Sequence, residues 1–199
     1  MRNIFLLLFA ISVFSFLIFY YQLHDSYYYI GSMHLGIFSI AMYFIYDKSW
    51  KNTLKKLGIP GDLKRNAVYT VGGIVALFAT VFILNIVFYF TGLEDGTKVY
   101  DIVKDLPWYL LIFAIIAAPI SEELFFRALL TDKFGIVISS IAFSLSHAAY
   151  GSISQLTGAF FLGAILAVIY KKSGSIIPCM IIHGFFNAIA IVFMKLVTG

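Results

Sequence analysis

The chain has 199 residues, of which 61% are hydrophobic and only 12% are charged, and its mean hydropathy is +0.94. Soluble domains carry about 25% charged residues, so this composition excludes an ordinary soluble enzyme and predicts a polytopic helical membrane protein. The net charge of +4 needs no nucleic-acid partner, because basic residues that face anionic inner-leaflet lipid account for it. The single cysteine, Cys179, cannot form an intrachain disulfide.

The first apolar run extends from Ile4 to Tyr21 and follows Arg2. It is longer than the hydrophobic region of a signal peptide, which spans roughly 7–15 residues. No pair of small residues typical of a cleavage site follows it before Asp25. We therefore expect an uncleaved first helix.

Charged and turn-forming residues divide the chain into seven apolar segments. About 20 apolar residues cross a hydrocarbon core of roughly 30 Å as a helix, so we interpret the segments as membrane spans. The fifth and sixth are short, and each could be tilted, re-entrant or shielded from lipid. The sequence thus predicts one all-α integral membrane domain over residues 1–199. The segments are 3–23, 27–46, 67–91, 108–131, 135–150, 154–170 and 176–197.

The two long loops differ in charge. The loop from Asp47 to Asn66 carries six basic and two acidic residues, whereas the loop from Gly92 to Pro107 carries four acidic and two basic residues. Basic loops face the cytoplasm in most helical membrane proteins. We therefore expect a cytoplasmic N-terminus, an external C-terminus after seven crossings, and a location in the cell (plasma) membrane.

Polar side chains cluster in three of the predicted spans. An ionisable side chain at bilayer depth costs roughly 2.5–3.5 kcal/mol on insertion scales, so such residues face the protein interior and commonly mark function. Residues four apart share one face of a helix, which predicts contacts within each pair. The residues are Glu122, Glu123 and Arg127 in the fourth span, Phe143 and His147 in the fifth, and His183 and Asn187 in the seventh.

Helix geometry places these groups at similar depth. With a rise of 1.5 Å per residue from the predicted cytoplasmic ends, Glu122 lies about 14 Å deep, His147 about 18 Å, His183 about 10 Å and Asn187 about 16 Å. A glutamate in an apolar cavity can take a proton from water. His147 could hold the same water, and His183 with Asn187 could stabilise an oxyanion. These residue types suit the hydrolysis of an amide bond without a covalent nucleophile.

These motifs resemble the CPBP family of intramembrane proteases, which includes type II CAAX prenyl endopeptidases and Abi-type bacteriocin self-immunity proteins. Its Glu-Glu-x-x-x-Arg, Phe-x-x-x-His and His-x-x-x-Asn motifs occur here in order, and the resemblance covers roughly residues 108–190. It implies peptide-bond hydrolysis near the cytoplasmic membrane face, with CAAX-type processing as a candidate reaction. Glu122 would activate water with His147, and His183 with Asn187 would form the oxyanion hole. Glu123 and Arg127 would be structural.

Several alternatives remain at this stage. Zinc could bind at the same site through Glu122, His147 and His183, although no His-Glu-x-x-His motif is present and we favour no metal. A non-catalytic immunity or scaffold protein could use the same cavity, and a proton-coupled transporter also uses buried Glu and His. Phe143 is expected to pack or line the cavity, and His34 to be a structural donor. The expected partners are membrane lipid and a lipid-anchored or membrane-embedded peptide or protein.

Overall fold

A computed structural model of the protein describes residues 2–22 and 28–198. These residues form helices and no β-strand, as the composition predicted. A π-helical segment, Leu124–Thr131, continues α6, and a single 3-10 turn, Ala148–Tyr150, follows α7. The helices are α1 (Arg2–Gln22), α2 (Tyr28–Ile45), α3 (Trp50–Lys56), α4 (Leu63–Thr91), α5 (Thr97–Val103), α6 (Trp108–Glu123), α7 (Asp132–Ser146), α8 (Ile153–Ser173) and α9 (Ile177–Thr198).

Among the described residues, four helical stretches are long and apolar enough to cross a membrane. A fifth is added if Tyr29–Ile45 and Trp50–Lys56, which meet at 97°, count as one broken span. The protein is thus an integral membrane protein, and its described residues provide four or five such helices. The seven crossings and the cytoplasmic N-terminus stay predictions. The four stretches are Leu63–Thr91, Trp108–Tyr150, Ile153–Ser173 and Ile177–Leu196.

The stretch from Trp108 to Tyr150 reverses direction at Gly135, whose φ of 82° is open to glycine but strained for other residues. Ser139 donates a hydrogen bond to the Phe126 carbonyl (2.8 Å), and the rings of Phe126 and Phe143 lie 5.1 Å apart. In a straight helix, residues 17 positions apart would be separated by roughly 25 Å. Helix α7 therefore packs back on the π-helical segment, at the boundary predicted between the fourth and fifth segments.

The connections gather at two ends of the bundle. At the first, which we call the basic end, Arg65 donates to the Lys172 carbonyl, Lys171 pairs with Asp132 (2.6 Å), and the Ile176 amide donates to the Leu57 carbonyl (3.1 Å). The loop between α2 and α4 lies here and carries the six basic residues noted above. Basic residues therefore concentrate on one end of the bundle.

At the opposite end, which we call the acidic end, the loop before α5 meets the connection between α7 and α8. Half-buried Asp95 accepts hydrogen bonds from the Ser154 and Ser152 hydroxyls and from the Ile153 amide (2.7 Å). These bonds, that from Ser154 first, hold the pKa of the Asp95 carboxyl below its usual value. Lys98 also donates to the Gly151 carbonyl (2.9 Å). Loops predicted to lie on one side of the membrane are thus joined to each other.

Helices α6 and α9 approach closely because position 184 is glycine. A Cβ atom on Gly184 would lie 2.6 Å from the Ile115 carbonyl oxygen, so no other residue fits without moving a helix. Small residues allow such contacts between membrane helices. This approach brings the polar residues of α9 against those of α6.

Candidate active site

Glu123, Arg127 and His183 form one buried hydrogen-bonded group. Arg127 Nε donates to Glu123 Oε2 (2.8 Å), and His183 Nδ1 lies 2.9 Å from Glu123 Oε1. The side chains of Glu123 and Arg127 are fully buried. A charged side chain is stable at such a buried position only when it is paired with an opposite charge. Glu123 and Arg127 are paired with each other. Glu123 thus holds Arg127 on one side and the imidazole of His183 on the other.

Glu122 lies on a different face of α6 from Glu123 because successive residues of a helix diverge by about 100°. Its Oε2 atom is buried and has no hydrogen-bond partner among the residues that the structure describes. The nearest histidine nitrogens lie beyond hydrogen-bond distance, His183 Nε2 at 3.8 Å from Oε2 and His34 Nε2 at 3.7 Å from Oε1. A buried carboxylate oxygen without a hydrogen-bond partner is uncommon in folded proteins, so this carboxylate is a candidate for a functional role.

His147 lies at the C-terminal end of α7, next to the 3-10 turn. Its Nδ1 is 2.9 Å from the Phe143 carbonyl oxygen. A carbonyl can only accept, so Nδ1 carries the proton, and Nε2 is left available as an acceptor in the neutral ring. The ring packs on Phe143, with 4.8 Å between centroids, and stacks with Tyr150 at 6.1 Å. Phe143 therefore orients His147 through both its carbonyl and its ring.

Asn187 lies one turn beyond His183 on α9. Its amide nitrogen donates to the Ala114 carbonyl of α6 (2.8 Å). A primary amide carries two N–H groups, so one donor is left beside the carbonyl oxygen. Asn187 thus joins α9 to α6 and keeps one donor for a ligand.

Four of the predicted residues line one cavity of about 290 Å³, formed by residues of α2, α5, α6, α8, α9 and the segment that follows α7. They are Glu122, His147, His183 and Asn187. The remaining lining is mainly apolar. Glu123 contacts His183, and Phe143 contacts His147 and His183. Arg127 contacts Glu123 and Phe143 in turn. The structure therefore brings all seven predicted residues together.

The cavity also contains residues that sequence reasoning assigned elsewhere or did not single out. His34, expected to be only a structural donor, lines it, as do Tyr150 and Gln155. The polarity of His34 inside an apolar segment was a signal for a site role, but no spacing rule connects α2 with α6. Tyr150 and Gln155 border a loop in the sequence and carried no such signal.

The donor atoms do not form a prepared metal site. Among the described residues, no group of three or more His, Cys, Asp or Glu side chains is arranged to hold a metal ion. The proposed zinc ligands Glu122, His147 and His183 share the cavity, yet they do not converge on one point. We therefore derive no chemical step through a metal.

The fold and the site define a class: a helical membrane protein with a buried glutamate, histidines and an asparagine around one cavity. Residues 104–189 match the family described as type II CAAX prenyl endopeptidase Rce1-like. This match, which covers less than half of the chain, confirms the resemblance drawn from the motifs and supports a protease activity of the CAAX endopeptidase type in general. All seven predicted site residues lie inside it. Neither a curated protein nor a solved structure matches the chain.

Proposed function

We propose that the protein is an intramembrane endopeptidase in which Glu122 activates a water molecule. The observation that carries the proposal is the place of Glu122: its side chain lines the same cavity as three histidines and an asparagine, and its buried Oε2 has no hydrogen-bond partner among the described residues. An apolar cavity with a few convergent polar groups is the usual form of a catalytic site. The family match supplies the reaction class.

Glu122 would take a proton from the attacking water, whose oxygen forms a bond to the carbonyl carbon of the peptide. His147 would accept a second hydrogen bond from this water through Nε2. As the C–N bond breaks, Glu122 would return its proton to the leaving nitrogen. Atoms and protons balance, and no covalent enzyme intermediate is needed.

The oxyanion of the tetrahedral intermediate would be stabilised by donors on α9. Asn187 has one free N–H after its bond to Ala114. His183 has given its Nδ1 proton to the contact with Glu123, so it donates through Nε2 only when the ring carries both protons. Preorganised donors of this kind contribute about 2.7–4 kcal/mol each to the barrier in hydrolases.

The substrate that fits is a lipid-anchored or membrane-embedded peptide or protein, and a CAAX-type C-terminus is the candidate that the family description supports. The membrane that holds the protein is proposed to be the plasma membrane. Membrane lipid is the other expected partner, and no nucleic acid is required.

Chelation distinguishes the glutamate mechanism from the zinc alternative. We expect the purified protein in lipid discs to cleave at least one peptide of a membrane-anchored panel, with a rate that changes less than about twofold in strong chelator. Metal analysis of the active sample should find no stoichiometric metal. Activity that disappears with chelator and returns with zinc would instead support a metalloendopeptidase that uses Glu122, His147 and His183.

A further inference from the structure

A groove lies between α4 and α8, outside the cavity of the proposed active site. Its volume is about 490 Å³, and its lining is apolar apart from one lysine at the basic end and the hydroxyl of one tyrosine. The lining runs from Val68 to Ala76 on α4 and from Ala164 to Lys172 on α8, which is about 12 Å of each helix. One leaflet of a hydrocarbon core is roughly 15 Å thick. The groove therefore extends over most of one leaflet, starting at the basic end.

Two adjacent glycines of α4 line this groove and face different surroundings. Gly73 is buried, and a Cβ atom added there would lie 2.5 Å from the side chain of Ile169 and also close to Ile182. Gly72 is exposed, and no atom lies within 4 Å of a Cβ atom added there. Position 73 thus allows α4 to approach α8 and α9, whereas position 72 faces the open part of the groove.

Two basic residues lie at the end of the groove that belongs to the basic end. Lys172 lines the groove, and Arg65 donates to the Lys172 carbonyl. The Arg65 guanidinium also lies 6.0 Å from the ring centroid of Tyr69, another lining residue. Asp62 caps α4 by accepting from the backbone amide of Arg65 (2.8 Å). None of the ion pairs among the described residues includes Lys172 or Arg65, so both positive charges are available to an anion.

We propose that the groove binds an anionic phospholipid, with one acyl chain between α4 and α8 and the phosphate beside Lys172 and Arg65. Apolar walls over the depth of one leaflet fit the chain, and the two cations fit the charge of the headgroup. Basic pockets between membrane helices bind anionic headgroups for this reason. The proposal does not depend on the proposed function, because no residue of the active-site cavity lines the groove. A bound lipid would stabilise the packing of α4 against α8.

A second copy of the chain is the other occupant that an apolar groove between membrane helices could take. Copies in one membrane share one orientation, so a symmetric contact through the groove would bring both Lys172 and both Arg65 side chains to the same level. Like charges that face each other disfavour such an interface. A phospholipid instead supplies the opposite charge at that level. The charge at the end of the groove therefore favours the lipid.

Titration of the purified protein in micelles of an uncharged detergent tests the proposal. The three probes are phosphatidylglycerol, phosphatidylcholine with the same acyl chains, and glycerol 3-phosphate. Thermal unfolding measures stabilisation, and native mass spectrometry counts the bound lipids. We expect saturating phosphatidylglycerol to raise the unfolding temperature by roughly 5 °C and phosphatidylcholine by less than about half as much. Glycerol 3-phosphate should have no effect, because the site requires both the chain and the charge.

Two variants locate the lipid in the groove. Gly72→Leu fills the groove from its open side, so the protein should fold as the wild type does and lose its preference for phosphatidylglycerol. Lys172→Gln keeps the groove but removes a charge, and should weaken phosphatidylglycerol binding roughly fivefold. The matched controls lie outside the groove and should bind as the wild type does. They are Ala79→Leu, on α4 about two turns further along, and Lys51→Gln, exposed on α3.

Equal stabilisation of the wild type by phosphatidylglycerol and phosphatidylcholine would overturn the proposal. So would an equal loss in Lys172→Gln and Lys51→Gln, or a preference for phosphatidylglycerol that persists in Gly72→Leu. A wild-type dimer that Gly72→Leu converts to a monomer, without any lipid preference, would show that a second copy occupies the groove. Binding is measured without substrate, and Glu122→Gln should give the same shift as the wild type. Failure of the lipid site is thus distinguishable from failure of the proposed function.

Discussion

Exchanging Glu122 for Gln is expected to reduce peptide cleavage by roughly 10²–10⁴-fold, the usual contribution of a general base. Gln keeps the shape of the side chain but cannot accept a proton from water. Because Glu122 Oε2 has no partner in the part of the chain that the structure describes, the change breaks no internal hydrogen bond of that atom. The measurement is the cleavage rate of a membrane-anchored peptide in lipid discs, with thermal unfolding compared in parallel.

Glu94→Gln is the matched control, since it removes the same charge from an exposed loop position and should leave the rate unchanged. A Glu122→Gln variant that cleaves as fast as the wild type would show that Glu122 is not the base. If the wild type cleaves nothing and Glu122→Gln keeps the biological activity of the protein, the non-catalytic immunity or scaffold alternative is supported.

Replacing Arg127 with Met is expected to destabilise the protein by about 3–5 kcal/mol, the range for breaking a buried ion pair. The change leaves the carboxylate of Glu123, whose side chain is fully buried, without its charged partner. It also loosens the group that orients His183, because both contacts are made by the same carboxylate. Thermal or denaturant unfolding in a lipid or detergent environment measures the loss.

Two variants check that the cause is the uncompensated charge. Lys171→Met breaks the pair with Asp132, whose side chains are 44% and 40% exposed, and should cost at most about 1 kcal/mol. The double variant Glu123→Gln with Arg127→Met removes both charges and should be more stable than Arg127→Met alone. Equal stability of the double and single variants would contradict the ion-pair explanation.

The lining of the cavity has a polar part and an apolar part. Polar groups from α6, α7 and α9 occupy one end, and apolar residues extend it towards α5. A lipid-anchored or membrane-embedded peptide would place its scissile bond at the polar groups and its apolar side chains along the rest. The buried residues Glu123, Arg127 and His183 are joined by hydrogen bonds at the polar end.

Helical periodicity and composition were sufficient to predict an all-α membrane protein and the polar residues that share one face of a helix. Glu123 meets Arg127 because residues four apart share a helix face, and the divergence of about 100° between Glu122 and Glu123 separates a cavity residue from an ion-pair residue. The all-α fold follows from the apolar composition, because a membrane-embedded backbone must satisfy its own hydrogen bonds.

Only the tertiary structure shows which helix faces pack against each other. His34 and Ser121 are 87 residues apart in the chain, and no local pattern encodes their contact. The cavity depends on which helices pack around α9, and the reversal at Gly135 depends on contacts between α7 and the π-helical segment. Periodicity specifies the face that each helix buries, whereas packing between distant segments selects its partner. For this reason the motif residues were identified from the sequence, whereas the place of His34 in the cavity and the groove between α4 and α8 required the fold.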